Sequence, residues 1–272
     1  MDTRPIGLMD SGLGGLSVGR ILQQQLPNES LVFLGDQGRF PYGTRPQSEV
    51  RRFGMQIGRF LSAQHVKMVI IACNTMTAAA LPNIQQELKV PVIGVIHPGA
   101  VAAVAAPKHD RVGVIATEST TKDGAYVRQI HRLNPAIEVV SQATQQLVSV
   151  VEHGQAGTPM AQQSVDQALA IFKQQPVDAL VLGCTHFPFL TPEIKKTLGP
   201  RVTLIDPANE TVKNARQVLA SRGELAPIDH QAETTLYTTA DAAELAQMAA
   251  KLLPRRADHI NHIDATILEE EY

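Results

Sequence analysis

The sequence predicts an α/β protein made of two similar doubly wound units with largely parallel sheets. Three observations carry that expectation. Short, wholly apolar β-rich runs alternate with longer helical stretches, the pattern of parallel strands covered on both faces. The order of elements repeats once along the chain. The two cysteines each end an apolar run in the same way, Met68-Val69-Ile70-Ile71-Ala72-Cys73 and Ala179-Leu180-Val181-Leu182-Gly183-Cys184.

The elements follow one another in a regular order. Pro5–Met9 is an apolar run that breaks at the polar turn Asp10-Ser11-Gly12, with a helix at Leu16–Gln25. Leu31–Gly35 is the second strand, followed by a loop through Gly43 and a helix over Ser48–Gln64. Met68–Ala72 runs into Cys73 and a helix at Thr77–Leu88, and Val92–Val95 leads to His97-Pro98. The plan then restarts. Arg111–Ile115 breaks at Thr117-Glu118-Ser119-Thr120 before a helix at Lys122–Leu133. Strands at Ile137–Ser141, Ala179–Leu182 and Val202–Ile205 follow, with helices at Pro159–Gln174 and Glu210–Ser221.

Spacing supports the repeat. Cys73 lies 67 residues after Ile6, and Cys184 lies 72 after Val112; Pro98 and Pro207 follow their cysteines by 25 and 23. Two units result. The first is 1–97, completed by 208–272, and carries Cys73. The second is 98–207 and carries Cys184. The segment 208–253 is helical on either side of a strand-like run at Thr234–Tyr237 and is expected to pack back on the first unit. The last residues, ending Glu269-Glu270-Glu271-Tyr272, are expected to form a solvated tail. One thiol per unit places the site in the cleft between the units.

Composition excludes several classes. The formal net charge is −2, so there is no electrostatic footprint for nucleic acid. Arg51-Arg52, Lys195-Lys196 and Arg255-Arg256 are isolated basic pairs. No apolar stretch nears the length of a membrane span, and the N-terminal residues lack a signal-peptide pattern. Two cysteines are too few for a disulfide scaffold, which points to a reducing cytoplasm.

The polar residues gather at strand ends, where open α/β sheets bind ligands. Asn74-Thr75 follows the first cysteine and Thr185-His186 the second, and a purely structural cysteine has no need of such neighbours. Amides at a following helix start can hold an anion and favour a thiolate. Cys184 and His186 supply only two zinc ligands where three or four are needed, so no metal is expected. The turn Asp10-Ser11-Gly12-Leu13-Gly14-Gly15 is not a dinucleotide fingerprint, because Ser17 stands where its last glycine belongs. By itself the stretch Asp36 to Gly43 reads as a loop, and Glu152 reads as a surface carboxylate. His65, His97, His259 and His262 are read as structural or solvated.

Together the motifs carry a resemblance. Asp10-Ser11-Gly12-Leu13-Gly14-Gly15, Pro41-Tyr42-Gly43, Ala72-Cys73-Asn74-Thr75 and Gly183-Cys184-Thr185-His186 occur in the order found in glutamate racemases, over nearly the whole chain from Gly7 to about Leu219. Three positions depart from the family: Phe187 stands where it usually has Tyr, Phe189 where it often has Leu or Ile, and Ser119 replaces a glycine in the Thr117–Thr120 segment. The resemblance implies a cofactor-free isomerase that interconverts L- and D-glutamate for peptidoglycan synthesis. It implies that Cys73 and Cys184 exchange protons with opposite faces of Cα, Cys73 facing the α-hydrogen of D-glutamate. Asp10 would assist Cys73 and His186 would assist Cys184, with Asp36 and Glu152 tuning the charge. Substrate contacts would come from Asp10, Ser11, Pro41, Tyr42, Gly43, Asn74, Thr75, Thr117, Thr120, Thr185 and His186. The implied partner is the small-molecule substrate, with no nucleic acid and no membrane, and a homodimer is left open. Racemases of other acids, such as aspartate, and a two-lobed binding protein are the rival readings.

Overall fold

The computed structural model of the protein describes residues 1–108 and 110–272. Among the described residues, ten strands form two sheets. They are β1 (Ile6–Asp10), β2 (Leu31–Gly35), β3 (Met68–Ile71), β4 (Val92–Gly94), β5 (Arg111–Ala116), β6 (Glu138–Ala143), β7 (Ala179–Gly183), β8 (Thr203–Ile205), β9 (Thr234–Thr238) and β10 (His259–His262). The chain divides into two compact units, residues 1–95 with 211–272, and residues 96–210. The first holds a six-stranded sheet of order β10-β9-β2-β1-β3-β4, and the second a four-stranded sheet of order β6-β5-β7-β8. Every pairing is parallel. The order β2-β1-β3-β4 in one unit is the order β6-β5-β7-β8 in the other, so the repeat of elements is a repeat of topology.

Helices α1 (Leu16–Gln25), α2 (Gln47–Ala63) and α3 (Asn74–Glu87) belong to the first unit. Its sheet is buried on both faces because alternate side chains point to opposite sides. Met9, Leu34, Val69 and Ile71 pack with Val50, Phe53 and Ile57 of α2 and Met76, Ala80 and Ile84 of α3. Leu8 and Leu31 project to the other face. There α1 approaches closely enough that a Cβ on Gly19 would fall 3.4 Å from Leu8 and 3.7 Å from Leu31.

In the second unit, α4 (Ile96–Val104), α5 (Glu118–Asp123), α6 (Ala125–Leu133), α7 (Gln145–Glu152), α8 (Pro159–Ala168), α9 (Ile171–Gln174) and α10 (Thr191–Leu198) surround the sheet strands. The single helix expected over Lys122–Leu133 is two helices. Gly124 adopts φ +73, a left-handed conformation that ends α5 and restarts the chain as α6. The helix expected at Pro159–Gln174 is likewise divided into α8 and α9.

Helix α11 (Pro207–Ser221) leads to β9, α12 (Ala242–Leu252), β10 and α13 (Ala265–Glu271). The expected solvated tail is therefore a correction: residues 265–271 form a helix. Leu268 is fully buried in the core of the first unit, and the ring of Tyr272 meets Phe60 edge-on at 5.6 Å. One leucine among acidic residues leaves almost no periodic signal, so the segment reads as solvated until the groove that receives Leu268 is known.

An ion pair inside the first unit ties distant segments together. Lys67 Nζ lies 2.5 Å from Glu29 Oε2 and donates to the carbonyls of Asp2 and Glu224 at 2.6 and 2.8 Å. The ammonium thus meets one carboxylate as an ion pair and two carbonyls as hydrogen-bond acceptors. Glu29 Oε1 accepts from Ala226 N at 2.8 Å. Among the described residues, no helix is long and apolar enough to cross a membrane.

Candidate active site

Topology selects two places for chemistry before any side chain is considered. In the first unit β1 lies between β2 and β3, so the strand order reverses there; in the second, β5 lies between β6 and β7. Ligands bind in parallel sheets outside the carboxyl ends of strands at such reversals. Asp10 ends β1 with Ser11 next to it, and Cys73 follows β3. Ala116 pairs with Gly183 across β5 and β7, so Thr117 and Cys184 leave neighbouring strand ends.

The first unit sets its thiol between a backbone amide donor and a serine hydroxyl acceptor. Cys73 is the N-cap of α3, and its Sγ accepts from Met76 N at 3.4 Å. An amide donor at a helix N-terminus favours the anionic form of a thiol. Ser11 Oγ lies 3.6 Å from Cys73 Sγ. Asn74 and Thr75 open α3 and are buried. Asp10 is fully buried, and its Oδ2 accepts from Gly15 N at 2.8 Å. Here the glycine-rich turn serves the protein itself. A Cβ on Gly15 would fall 2.5 Å from Asp10 Cβ, so the turn can close over this carboxylate only with glycine.

Asp36 sits in a second cluster. It is fully buried; Oδ2 accepts from Arg39 Nε at 2.7 Å and from the Tyr42 hydroxyl, and Oδ1 accepts from Thr239 Oγ1 at 2.8 Å. Both carboxylate oxygens are engaged, and together these bonds pin the loop that carries Pro41, Tyr42 and Gly43 to the end of β9. Burial first, then the Asp36 charge, push the Tyr42 phenol well above its ordinary range, so it stays a neutral donor. Tyr42 and Cys73 belong to the same buried cluster. Arg39 and Thr239 were not among the residues singled out in the sequence. Arg39 has a local signal, three residues from Asp36; Thr239 is more than 200 residues away and has none.

The second unit gives its thiol a different partner set. Cys184 Sγ lies 3.5 Å from His186 Nδ1, and His186 Nε2 pairs with Glu152 Oε1. Glu152 is the last residue of α7, and the fold brings it to His186 across 34 residues of sequence. Burial alone would lower the His186 value, but the Cys184 sulfur and the Glu152 carboxylate outweigh it and push it up to about 10. Both partners thus favour the protonated imidazole. Thr117 is the N-cap of α5; its Oγ1 accepts from Thr120 N at 3.3 Å and donates to Thr120 Oγ1 at 2.9 Å. Thr185 is buried.

A pH dependence follows from His186. Its value rises on folding from 6.5 to about 10, so its contribution to stability is fully present below about 6.5 and is lost as pH climbs through about 10. The stability advantage of the parent over His186→Asn is expected to shrink steadily between those limits. Urea midpoints measured across that range check this; an advantage that grew with pH would contradict it.

Among the described residues, no group of three or more His, Cys, Asp or Glu side chains could hold a metal ion. Both cysteines are free thiols.

Comparison with known proteins adds independent findings. The sequence pattern of the Asp/Glu/Hydantoin racemase family matches residues 6–215. The chain is similar to the glutamate racemase of Limosilactobacillus reuteri, with 52% identity over 265 residues, 97% of this chain and 98% of the relative. Among solved structures it is similar to glutamate racemase isoform RacE1 from Bacillus anthracis, at 38% identity and TM-score 0.92, covering 97% of this chain and 98% of that one. It is also similar to the Francisella tularensis glutamate racemase in complex with D-glutamate, at 35% identity and TM-score 0.91, covering 100% of both chains.

Proposed function

The chain belongs to the Asp/Glu/hydantoin racemase family, and we propose that it interconverts L- and D-glutamate by two-thiol proton transfer at Cα. The observation that carries this reading is the matched pair of thiols, each leaving a strand end at the order reversal of its own sheet, each with its own polar partners.

The chemistry needs one base and one acid on opposite faces of a single carbon. In the L-to-D direction Cys184, as thiolate, removes the α-proton, and the electron pair passes into the substrate carboxylate as enolate-like charge. Cys73, as thiol, then delivers its proton to the other face and is left as the thiolate. The protein ends poised for the reverse reaction, with the roles of the sulfurs exchanged. A free thiol near its ordinary value of about 8.5 is only a few per cent ionised at neutral pH, so each thiolate needs support. The His186 imidazolium is placed to supply it at Cys184, and the Met76 amide at Cys73. Ser11, Asn74, Thr75 and Thr185 are the proposed donors to the substrate carboxylate, where charge develops in the transition state. In this reading Glu152 keeps His186 protonated and oriented. Asp10 assists Cys73. Asp36 holds the Tyr42 loop rather than moving a proton. The product D-glutamate would feed peptidoglycan synthesis, in a cytoplasm that keeps both thiols reduced.

Chirally pure L-glutamate, with no cofactor added, is expected to lose its optical rotation, and product formed in D2O is expected to carry deuterium at Cα. Absence of both changes would overturn the reaction. Faster turnover of aspartate than of glutamate would overturn the substrate while leaving the two-thiol chemistry in place.

A further inference from the structure

Tyr126 lies on α6, is 2% exposed and belongs to none of the motifs considered above. Its ring is held between two glycines. A Cβ on Gly99 of α4 would fall 3.1 Å from Tyr126 Cε1, and a Cβ on Gly183, the residue before Cys184, would fall 3.1 Å from Tyr126 Cε2. Those carbons are on opposite edges of the ring. Neither glycine has a positive φ, so the backbone conformation does not call for glycine at either place; room for the ring does. The Ile115 carbonyl oxygen crowds the same place, 2.6 Å from the Cβ that Gly183 lacks. The space beside the residue that leads into Cys184 is therefore bounded by the Tyr126 ring and by β5.

Pro207 lines the same gap at Gly99. Pro207 Cγ would lie 3.1 Å from a Cβ on the same Gly99, and Asp206 Oδ1 accepts from Ala208 N at 3.0 Å to fix the start of α11. Burial first, then the charges of Asp206 and Cys184, keep the Tyr126 phenol protonated well above its ordinary range. The first unit has a comparable arrangement beside Cys73, where buried Tyr42 is held by Asp36. The two tyrosines are not topological equivalents, since Tyr42 follows β2 whereas Tyr126 precedes β6. The repeated plan alone therefore does not account for a tyrosine beside each thiol.

We propose that Tyr126 is a positioning residue for Cys184: its ring fills the gap between α4 and the end of β7 and fixes the main chain from which the thiol projects. The proposal rests on the reading of Cys184 as one of the two working thiols.

Three variants test it: Tyr126→Phe, Tyr126→Leu and Gly99→Ala. The readouts are kcat, KM and the rate at which iodoacetamide alkylates each cysteine, followed by peptide mass spectrometry. Tyr126→Phe keeps the ring and is expected to hold kcat within about threefold. Tyr126→Leu is expected to lower kcat by about 10²-fold, the scale of a misplaced reacting group, with KM little changed. It should also shift Cys184 alkylation at least about fivefold and leave Cys73 alkylation at the parent rate. Gly99→Ala presses the ring from its far edge and should move the same readouts in the same direction, which covers the case in which the leucine variant fails to fold. Parent-like Cys184 alkylation in both disruptive variants, an equal change at both thiols, or a loss in Tyr126→Phe as large as in Tyr126→Leu would overturn the proposal. Alkylation needs no substrate, so a parent protein that failed to racemise glutamate would leave this test intact.

Discussion

Cys73→Ser and Cys184→Ser are each expected to lower racemisation by about 10²- to 10⁴-fold, the usual contribution of a positioned acid or base. Serine nearly matches cysteine in volume, so both variants should fold as the parent does. Its hydroxyl, however, is far too weak an acid to be present as an anion near neutral pH. The loss should appear in both directions for both variants, because the equilibrium constant between enantiomers is one and kcat/KM must fall equally for each. The two variants should differ elsewhere. Removing Cys184 leaves the protonated His186 without its neighbouring sulfur. In Cys73→Ser the new hydroxyl can still accept from Met76 N at the start of α3. Optical rotation with each enantiomer measures the loss, and circular dichroism checks the fold. A parent-like rate in either single variant would end the two-thiol reading.

The second large effect concerns stability. Lys67→Ala is expected to destabilise the protein by about 3–5 kcal/mol, the range found when one partner of a buried ion pair is removed. Lys67 and Glu29 are 1% and 2% exposed, and the variant leaves the Glu29 carboxylate buried without its cation. Two carbonyls, of Asp2 and Glu224, lose their donor as well. Glu29→Gln in the same chain removes the uncompensated charge and should restore part of the loss. Lys67 precedes β3 at its amino end, whereas Cys73 follows the carboxyl end, about 20 Å away along an extended strand. Activity per folded molecule should therefore stay at the parent level while the urea midpoint falls. A midpoint unchanged by Lys67→Ala would show that the pair contributes nothing.

Much of the fold is legible in the chain because buried parallel strands are continuous apolar runs. Leu31–Gly35 and Leu16–Gln25 occupy the spans expected of them, and the other early strands differ by a residue or so at their ends. Helix α4 is less legible: apart from His97, Ile96–Val104 is apolar or small, without the polar face that marks a surface helix. Strand β10 escapes notice for the opposite reason. His259–His262 is half-exposed at the edge of its sheet and pairs only with β9, so it lacks the apolar run of a central strand.

The sequence by itself determined the repeated α/β plan, the two thiols at strand ends and the hydrogen-bonding residues beside them, because these are local patterns of a few adjacent residues. Tertiary structure alone decided which distant side chains complete each site. Glu152 reads as a surface carboxylate until α7 brings it to His186, and Asp36 reads as a loop residue until Arg39, Tyr42 and Thr239 converge on it. Tyr126 carries no mark in the sequence at all; only the missing Cβ atoms of Gly99 and Gly183 show where its ring must go. Such contacts join residues tens to hundreds of positions apart. Their partners are chosen by how helices pack on a sheet, and a one-dimensional pattern does not record that.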